Sequence, residues 1–407
     1  MKKEHISDAL NLLNDDIIEE ADAVRRNKRK RGKSWWMWAS IAACLALLVY
    51  AGIRILPQEP ANDVSKLPLL TINEDTGEAM GFEGYMAYKA SELVNANPWS
   101  EASKLSALPV FHNLLTYNKN NIASRADFNK MQEFLLEAAN RFGLDTNGLV
   151  SSNDVPDEET KQKIIDKLQI GGGTISDGYF DPTKLMVKAD GLKIEVDQAM
   201  TAKISLDPAV SLPSEYNFTH YAAYDEMVAV AEYLKTKYKD IIGIDNPKVN
   251  IYGGDYNIYN QQRYSIEFFD AGGSINEQII NYNFNRVAFY CDDEGKLFLI
   301  RIYRPVLSDK VGDYPIITSK EASQLLSNGN YLTTVPYKMP GLEYVKKAEL
   351  VYRTGEQEEY YMPYYRFYVE LPEEERDNGL KTYGAYYVPA VDRAFISNMP
   401  TWDGSFN

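Results

Sequence analysis

"ITSKEASQLLSNG" (317–329) stands before three strand-like stretches, and this order decides the fold that we predict for the C-terminal third of the chain. Ser319, or alternatively Thr318, caps a helix with Glu321 in its first turn, and Gly329 ends that helix. The strand-like stretches are "LEYVKKAELVYRTG" (342–355), "QEEYYMPYYRFYVEL" (357–371) and "TYGAYYVPAVD" (382–392). A helix followed by a meander of strands predicts an α+β arrangement, with an antiparallel sheet wrapped around the helix.

A second block repeats this order about 97 residues earlier. It opens with a predicted helix, "AAYDEMVAVAEYLKTKYKDII" (222–242). Four strand-like runs follow: "KVNIY" (248–252), "YNIYNQQRYSIEFFD" (256–270), "NEQIINYNFNRVAFYCD" (276–292) and "KLFLIRIYRP" (296–305). We predict turns at "AGGS" (271–274) and "DDEG" (292–295). Each block is expected to wrap a sheet around its own helix.

A first block holds a predicted helix at 124–144, a shorter helix at 157–170, and a hairpin at 184–197 whose tip is "ADG". The apolar face of the longer helix consists of Phe128, Met131, Phe134, Leu135, Ala138 and Phe142. The predicted organisation is a multi-domain one: leader and basic stop 1–34, transmembrane helix 35–55, tether 56–75, and extracytoplasmic domains 76–210, 211–310 and 311–407.

Between Trp35 and Ile53 the chain has nineteen residues without a charge, "WWMWASIAACLALLVYAGI". At about 1.5 Å of rise per residue, such a helix nearly matches a hydrocarbon core of roughly 30 Å. Basic residues before it and tryptophans at its start predict an anchor in the lipid bilayer: Arg29, Lys30, Arg31, Lys33, Trp35, Trp36 and Trp38. The sequence therefore predicts a single membrane-spanning helix.

Seven Lys/Arg residues at 25–33 precede this span, whereas Arg54 and Lys66 are the positive residues in the twenty positions after it. The positive-inside rule places the N-terminus in the cytoplasm and the C-terminal domains outside the cell membrane. Because the basic run lies against the membrane, we expect no nucleic-acid partner. A secretory signal cleaved after "VYA" (49–51) is the alternative, although 34 residues precede the apolar run.

The formal charge of the chain is −15, and residues 1–56 contribute ten positive and seven negative side chains, so the remainder carries −18. Such an acidic exterior disfavours polyanionic partners. Cys44 lies in the predicted span and Cys291 outside it, so the two cannot form a disulfide. An exterior without an intramolecular disulfide fits a Gram-positive cell surface better than a disulfide-rich secreted module.

The leader carries an apolar stripe at helical spacing: Ile6, Leu10, Leu13, Ile17, Ala21 and Val24. These residues are too few to form a core of their own. The stripe predicts either a solvated or membrane-lying helix, or a helix that docks into the groove of a cytoplasmic partner.

Residues 6–48, "ISDALNLLNDDIIEEADAVRRNKRKRGKSWWMWASIAACLALL", resemble the leaders of membrane-anchored, anti-sigma-factor-like proteins of Firmicutes. The shared features are an acidic amphipathic helix, a basic run, a Trp-rich span and a larger external part. The resemblance implies a sigma factor as partner. The chain lacks the Cys/His spacing of zinc-containing anti-sigma domains, since His5 is the one histidine before the span. A zinc-dependent mechanism is therefore excluded.

The C-terminal stretch from "PIITSKEASQLLSNGNY" to "YGAYYVPAVD" resembles the extracytoplasmic domains of YycH/YycI-type regulators, which have PepSY-like or cystatin-like topology. The resemblance rests on the "TSKEA" helix start, the "AELVY" strand and the "PYYRF" strand. It implies a one-pass membrane protein that modulates a sensor kinase and is not an enzyme.

No catalytic or cofactor-binding motif is recognised in the sequence, and neither a cofactor nor a metal is expected. "IGGGTISDGYF" (170–180) lacks the Lys-Ser/Thr of a phosphate-binding loop, and His112 and His220 lack zinc-site partners nearby in sequence. Cys291 ends an apolar strand and is predicted to be a buried, inert thiol. The tyrosines of "YYMPYYRFY" and "DYNIYNQQRY" are expected to pack in a sheet, with stacking on sugars as the alternative.

These observations favour a signalling regulator, in which an external sensor region is linked through one helix to a sigma factor or a sensor kinase. The alternative is an anchored cell-surface module that binds a peptide, wall fragment or glycan, with the leader serving only as an anchor.

Overall fold

The computed structural model describes residues 66–73, 82–115, 127–147, 149, 151–175, 179–355 and 358–404. The leader stripe and the predicted membrane anchor (1–55) lie outside these ranges. Within them, no helix has the length and apolar character needed to cross a membrane. Residues Asp63–Asn407 form one compact unit. The predicted α+β class with antiparallel sheets is confirmed, because every pairing between its strands is antiparallel.

The largest sheet has eight strands in the order β3-β4-β5-β6-β10-β9-β8-β7. In chain order these strands are β3 (Ser152–Asn153), β4 (Lys184–Ala189), β5 (Leu192–Asp197), β6 (Thr201–Val210), β7 (Pro247–Tyr256), β8 (Gln262–Asp270), β9 (Arg286–Cys291) and β10 (Leu297–Tyr303). The predicted hairpin with its tip at Asp190–Gly191 is confirmed by β4 and β5, and the predicted "DDEG" turn joins β9 to β10.

A four-stranded sheet has the order β1-β15-β14-β12, and a three-stranded sheet has the order β11-β2-β13. Their strands are β1 (Gly84–Ala87), β2 (Ala107–His112), β11 (Lys310–Pro315), β12 (Val345–Tyr352), β13 (Tyr360–Tyr361), β14 (Pro363–Leu371) and β15 (Lys381–Pro389). The meander predicted at 342–392 is thus present as β12, β14 and β15.

Six α-helices occur in the described ranges: α1 (Phe128–Arg141), α2 (Glu158–Ile170), α3 (Tyr224–Lys237), α4 (Lys239–Ile242), α5 (Ile275–Phe284) and α6 (Ser319–Ser327). Of the two caps predicted for α6, Thr318 is the one present and Ser319 is the first helical residue. The Thr318 side chain accepts from the backbone N–H of Glu321, and the Glu321 carboxylate accepts from the backbone N–H of Thr318 in return. Gly329 follows with a positive φ of 86° and ends the helix as predicted.

Helix α5 corrects the prediction of a single strand run at 276–292. The segment Ile275–Phe284 is helical and β9 begins only at Arg286. A capping box between Ser274 and Glu277 starts the helix, and its buried residues Ile279 and Tyr282 are three positions apart. The β-branched and aromatic residues of the segment favoured a strand in the prediction. The capping box and the burial of Ile279 and Tyr282 on one face stabilise a helix instead.

The core of the eight-stranded sheet lies on one face, under two helices. Helix α3 packs on β7 and β8, and α1 packs on β4, β5 and β6. Phe268 and Phe289 are buried there and meet edge to face, with ring centroids 5.6 Å apart. Burial of each such ring contributes about 1.5–3 kcal/mol. Of the apolar face predicted for α1, Met131, Phe134, Leu135 and Ala138 are buried, whereas Phe128 is exposed.

The first and second predicted blocks share this sheet, because β6 of the first block pairs with β10 of the second along nearly all of β10. We expected α3 to carry a sheet of its own. Instead, β7–β10 are extended by β4–β6 from the preceding block. Pairing β6 with β10 covers two strand edges whose N–H and C=O groups would otherwise be exposed.

The end of the predicted tether is docked onto the C-terminal region. Leu70 and Ile72 are buried beside Ile396. The backbone N–H of Leu70 donates to the carbonyl of Phe395 at 2.8 Å, and the Asn398 side chain bonds both backbone groups of Ile72 at 2.8 and 2.7 Å. Residues 67–73 are therefore part of the folded unit rather than a free linker.

Candidate ligand-binding site

A cleft lies between the polar faces of the eight-stranded and four-stranded sheets. Along β8, Ile266 and Phe268 pack under helix α3, so Glu267 points to the opposite face. Along β14, Tyr365 and Phe367 belong to the core around α6, so Arg366 points the other way. Since both polar faces meet, the cleft has polar and charged walls.

The cavity has a volume of about 740 Å³. This is within the range of roughly 300–1,000 Å³ that is typical of small-molecule sites. Four of the ten arginines that follow Asn62 line it: Arg263, Arg286, Arg353 and Arg366. Three acidic residues line it as well: Glu83, Asp255 and Glu267. Tyrosines from both sheets and from α5 complete the walls: Tyr85, Tyr252, Tyr282, Tyr352, Tyr368 and Tyr387.

On the eight-stranded side, Arg286 and Glu267 form an ion pair. One guanidinium nitrogen, Arg286 Nη1, lies 3.1 and 3.0 Å from the two carboxylate oxygens of Glu267, which is 3% exposed. Asn250 Nδ2 donates to the same carboxylate at 3.3 Å, and the Arg286 guanidinium lies 4.9 Å from the ring centroid of Tyr303. Burial lowers the pKa of Arg286, but Glu267 together with the neighbouring tyrosines outweighs burial, and the pKa is raised.

On the four-stranded side, Glu349 accepts from several donors and is 2% exposed. Arg366 Nη2 lies 2.5 Å, Lys347 Nζ 2.6 Å and Asn95 Nδ2 2.5 Å from its carboxylate oxygens. Burial raises the pKa of this carboxyl, but Arg366 and Lys347 outweigh burial, and the pKa lies below its usual value. Glu349 is therefore charged and positions Arg366 in the cleft wall.

Glu83 provides the carboxylate at the β15 end of the cleft. The hydroxyls of Tyr85 and Tyr387 both donate to it at 2.8 Å, and its own backbone N–H donates to Thr334 Oγ1 at 2.8 Å. Burial raises the pKa of both tyrosine hydroxyls above the usual value, so they remain neutral donors. A carboxylate has about four acceptor positions, so Glu83 retains capacity for a further donor.

Arg353 is held at the end of β12 by Glu358 and two aromatic rings. Its Nε lies 3.0 Å from Glu358 Oε1, and its guanidinium lies 5.6 and 5.5 Å from the ring centroids of Tyr364 and Tyr387. Burial raises the pKa of Glu358, against the effect of Arg353.

Three guanidinium N–H groups in the cleft are shielded from solvent and have no acceptor among the described residues: Arg286 Nε, Arg353 Nη1 and Arg366 Nε. Each of these arginines uses other nitrogens for its own glutamate. A buried donor without a partner costs about 1–3 kcal/mol. The same three side chains, Arg286, Arg353 and Arg366, are 30%, 16% and 18% exposed, and it is these exposed parts that a ligand in the cleft can contact.

The segment 82–97 connects the two walls. Val94 pairs with Gly253 of β7, and Lys347 Nζ donates to the Leu93 carbonyl at 2.9 Å. This close approach requires glycine at 254: with φ +85°, a Cβ there would lie 1.6 Å from the Glu92 carbonyl oxygen. Helix α5 closes another side, because it contacts both β8 and β12.

Cys291 and His220 are brought together elsewhere, with 3.7 Å between the thiol sulfur and Nδ1. His220 Nε2 lies 3.7 Å from Asp293 Oδ1. Cys291 is buried, as predicted, and burial raises its pKa to about 11. A nucleophilic cysteine needs a lowered pKa, so this pair lacks the activation of a catalytic thiol. His112 is instead paired with Asp309, with 3.0 Å between Nδ1 and Oδ2.

The partner-binding stripe and anchor residues predicted from the sequence lie outside the described residues, so the structure does not test them.

The cleft was not predicted from the sequence. Of the two tyrosine-rich stretches, Tyr368, Arg366, Asp255 and Arg263 line it, whereas Tyr259 is exposed at a hairpin tip. The available signal was a charged residue between apolar neighbours within a strand, as at Glu267, which the abundance of acidic residues concealed.

No protein-family model matches the sequence, and a search of curated proteins finds no match. Among the described residues, no group of three or more His, Cys, Asp or Glu side chains is arranged to hold a metal ion.

Proposed function

We propose that this protein is a single-pass membrane-anchored signalling regulator. Its outer region binds a small ligand in the cleft between the two sheets, and its cytoplasmic leader engages a sigma factor or a sensor kinase. The observation that carries the proposal is the cleft itself, which four arginines and three acidic residues line. A concave cavity that combines aromatic rings, here six tyrosines, with polar groups fixed in position is typical of a ligand site.

A ligand in this position contacts two separate sheets at once. Arg286 belongs to the eight-stranded sheet and Arg366 to the four-stranded sheet. A ligand that binds Arg286 and Arg366 together favours the arrangement of the two sheets in which both arginines contact the ligand. This differential affinity is the physical basis for a sensor.

The docked residues 67–73 support transmission of that change. They follow the predicted span and tether in the chain, and they bind the segment that comes after β15. A movement of the four-stranded sheet would therefore also move residues 67–73, which follow the predicted membrane anchor in the chain. The finer resemblance to YycH/YycI-type, cystatin/PepSY-like domains is supported by the order α6, β12, β14, β15.

The proposal is tested with a crosslinked pull-down from membranes, using the full chain with a tag at its N-terminus. Leu10→Glu/Leu13→Glu places two charges on the stripe, and Asn11→Glu/Leu12→Glu places the same charges off it. We expect a sigma factor or kinase to be captured by the wild type and the control, and lost from the stripe variant. Capture of wall-associated proteins alone, unchanged in every variant, would support the anchored surface module instead.

A further inference from the structure

We propose that the ligand of the cleft is a single amino acid or a short peptide with a free carboxylate. The inference rests on the proposed ligand-binding role of the cleft and names the chemistry that the walls recognise. Its three parts are a site for a carboxylate, a site for an ammonium group, and a charge balance that suits a zwitterion.

The carboxylate site is formed by Arg286 and Arg366. Both side chains line the cleft and are partly exposed, by 30% for Arg286 and 18% for Arg366, while one nitrogen of each is fixed by a glutamate. Arg286 and Arg366 line the same cavity as Tyr282 of α5, and this helix contacts both β8 and β12, the strands that carry the two glutamates. Carboxylate oxygens are the acceptors that guanidinium groups bind best, because both groups are planar and oppositely charged.

The ammonium site is formed by Glu83. Its carboxylate is held by the hydroxyls of Tyr85 and Tyr387 and lines the same cavity. Asp255 lines the cavity too, and its carboxylate accepts from the backbone N–H of Met86. An ammonium group has three donors and no acceptor, so it complements acidic groups that are already fixed in position.

The balance of charge favours a zwitterion over a phosphate. Four arginines and three acidic residues line the cavity, and behind them Lys347 adds one positive charge while Glu349 and Glu358 add two negative ones. The walls and the charges directly behind them therefore balance, which suits a ligand without net charge. A phosphate dianion would bring two negative charges close to Glu267 and Glu349. A carboxylate brings one negative charge, and the ammonium group of the same ligand offsets it.

The test uses the full chain in detergent micelles and a pool of free amino acids and random-sequence tripeptides, with the retained compounds measured by mass spectrometry. The same pool with amidated C-termini lacks the carboxylate, and inorganic phosphate serves as competitor. Arg286→Lys keeps the charge but removes the planar guanidinium. Arg304→Lys is the matched control, because Arg304 also pairs with a glutamate, Glu137, at 2.8 Å and lies 5.3 Å from an aromatic ring centroid, outside the cleft.

We expect the wild type and Arg304→Lys to retain free-carboxylate peptides, and amidation or Arg286→Lys to reduce retention at least about tenfold. Circular dichroism verifies that both variants are folded. Equal retention of amidated peptides, retention by Arg286→Lys, displacement by phosphate, or no retention at all would overturn the assignment. If the inner partner is still captured in the pull-down, the failure concerns the ligand class and not the regulator.

Discussion

Replacing Glu349 by glutamine is expected to destabilise the folded unit by about 3 kcal/mol. The substitution preserves shape but leaves two cations, Arg366 and Lys347, without their negative partner. Removing one member of a buried ion pair costs roughly 3–5 kcal/mol. The lower end applies here, because the side chains of Arg366 and Lys347 are 18% and 28% exposed and retain some solvent.

Urea unfolding followed by circular dichroism measures this loss as a lower midpoint at an unchanged slope. Glu137→Gln is the matched control: Glu137 also binds two arginines, Arg141 and Arg304, but its side chain is 44% exposed. Its loss is expected to stay within about 1 kcal/mol. A Glu349→Gln protein no less stable than the control would refute the view that the pair is effectively buried.

The same group predicts the dependence on pH. The pKa of Glu349 in the folded protein lies below its ordinary value of 4.5. A lowered pKa stabilises the fold above that ordinary value, and the contribution is lost as the pH falls through the folded value. The wild type is therefore expected to lose stability more steeply than Glu349→Gln on acidification below about pH 4.5. Parallel curves would contradict this assignment.

Three further perturbations test other parts of the structure. Leu70→Ala is expected to lower the free energy of unfolding in urea by about 2–5 kcal/mol, because Leu70 is fully buried. Leu69→Ala, at a side chain that is 59% exposed, is expected to lower it by no more than about 0.5 kcal/mol. Equal losses would show that the segment is not docked. Gly254→Ala is expected to lower the melting temperature and weaken ligand retention, since the added Cβ meets the Glu92 carbonyl; an unchanged melting temperature would contradict the close approach. Cys291 is expected to react with iodoacetamide at pH 7.5 only after denaturation, as judged by mass spectrometry, because burial raises its pKa to about 11; rapid labelling of the native chain would show an accessible thiolate.

Local features of this chain were predictable because their determinants are neighbours in sequence. The start of α6 depends on Thr318 and Glu321, three residues apart, and the β4–β5 hairpin depends on its Asp190–Gly191 tip. The buried face of α1 followed from apolar spacing. Helix α5 shows the limit of this approach, because its composition indicated a strand while its cap indicated a helix.

The sequence by itself thus determined the α+β class, most of the elements, the burial of Cys291, and the predictions of a membrane anchor and an inner stripe. The tertiary structure alone decided the cleft, the shared eight-stranded sheet and the docking of 67–73. The Asn95–Glu349 and Glu83–Tyr387 bonds join residues 254 and 304 positions apart. Periodicity within a strand shows which residues share a face, but it does not show which distant face will lie opposite, because that depends on the packing of the whole chain.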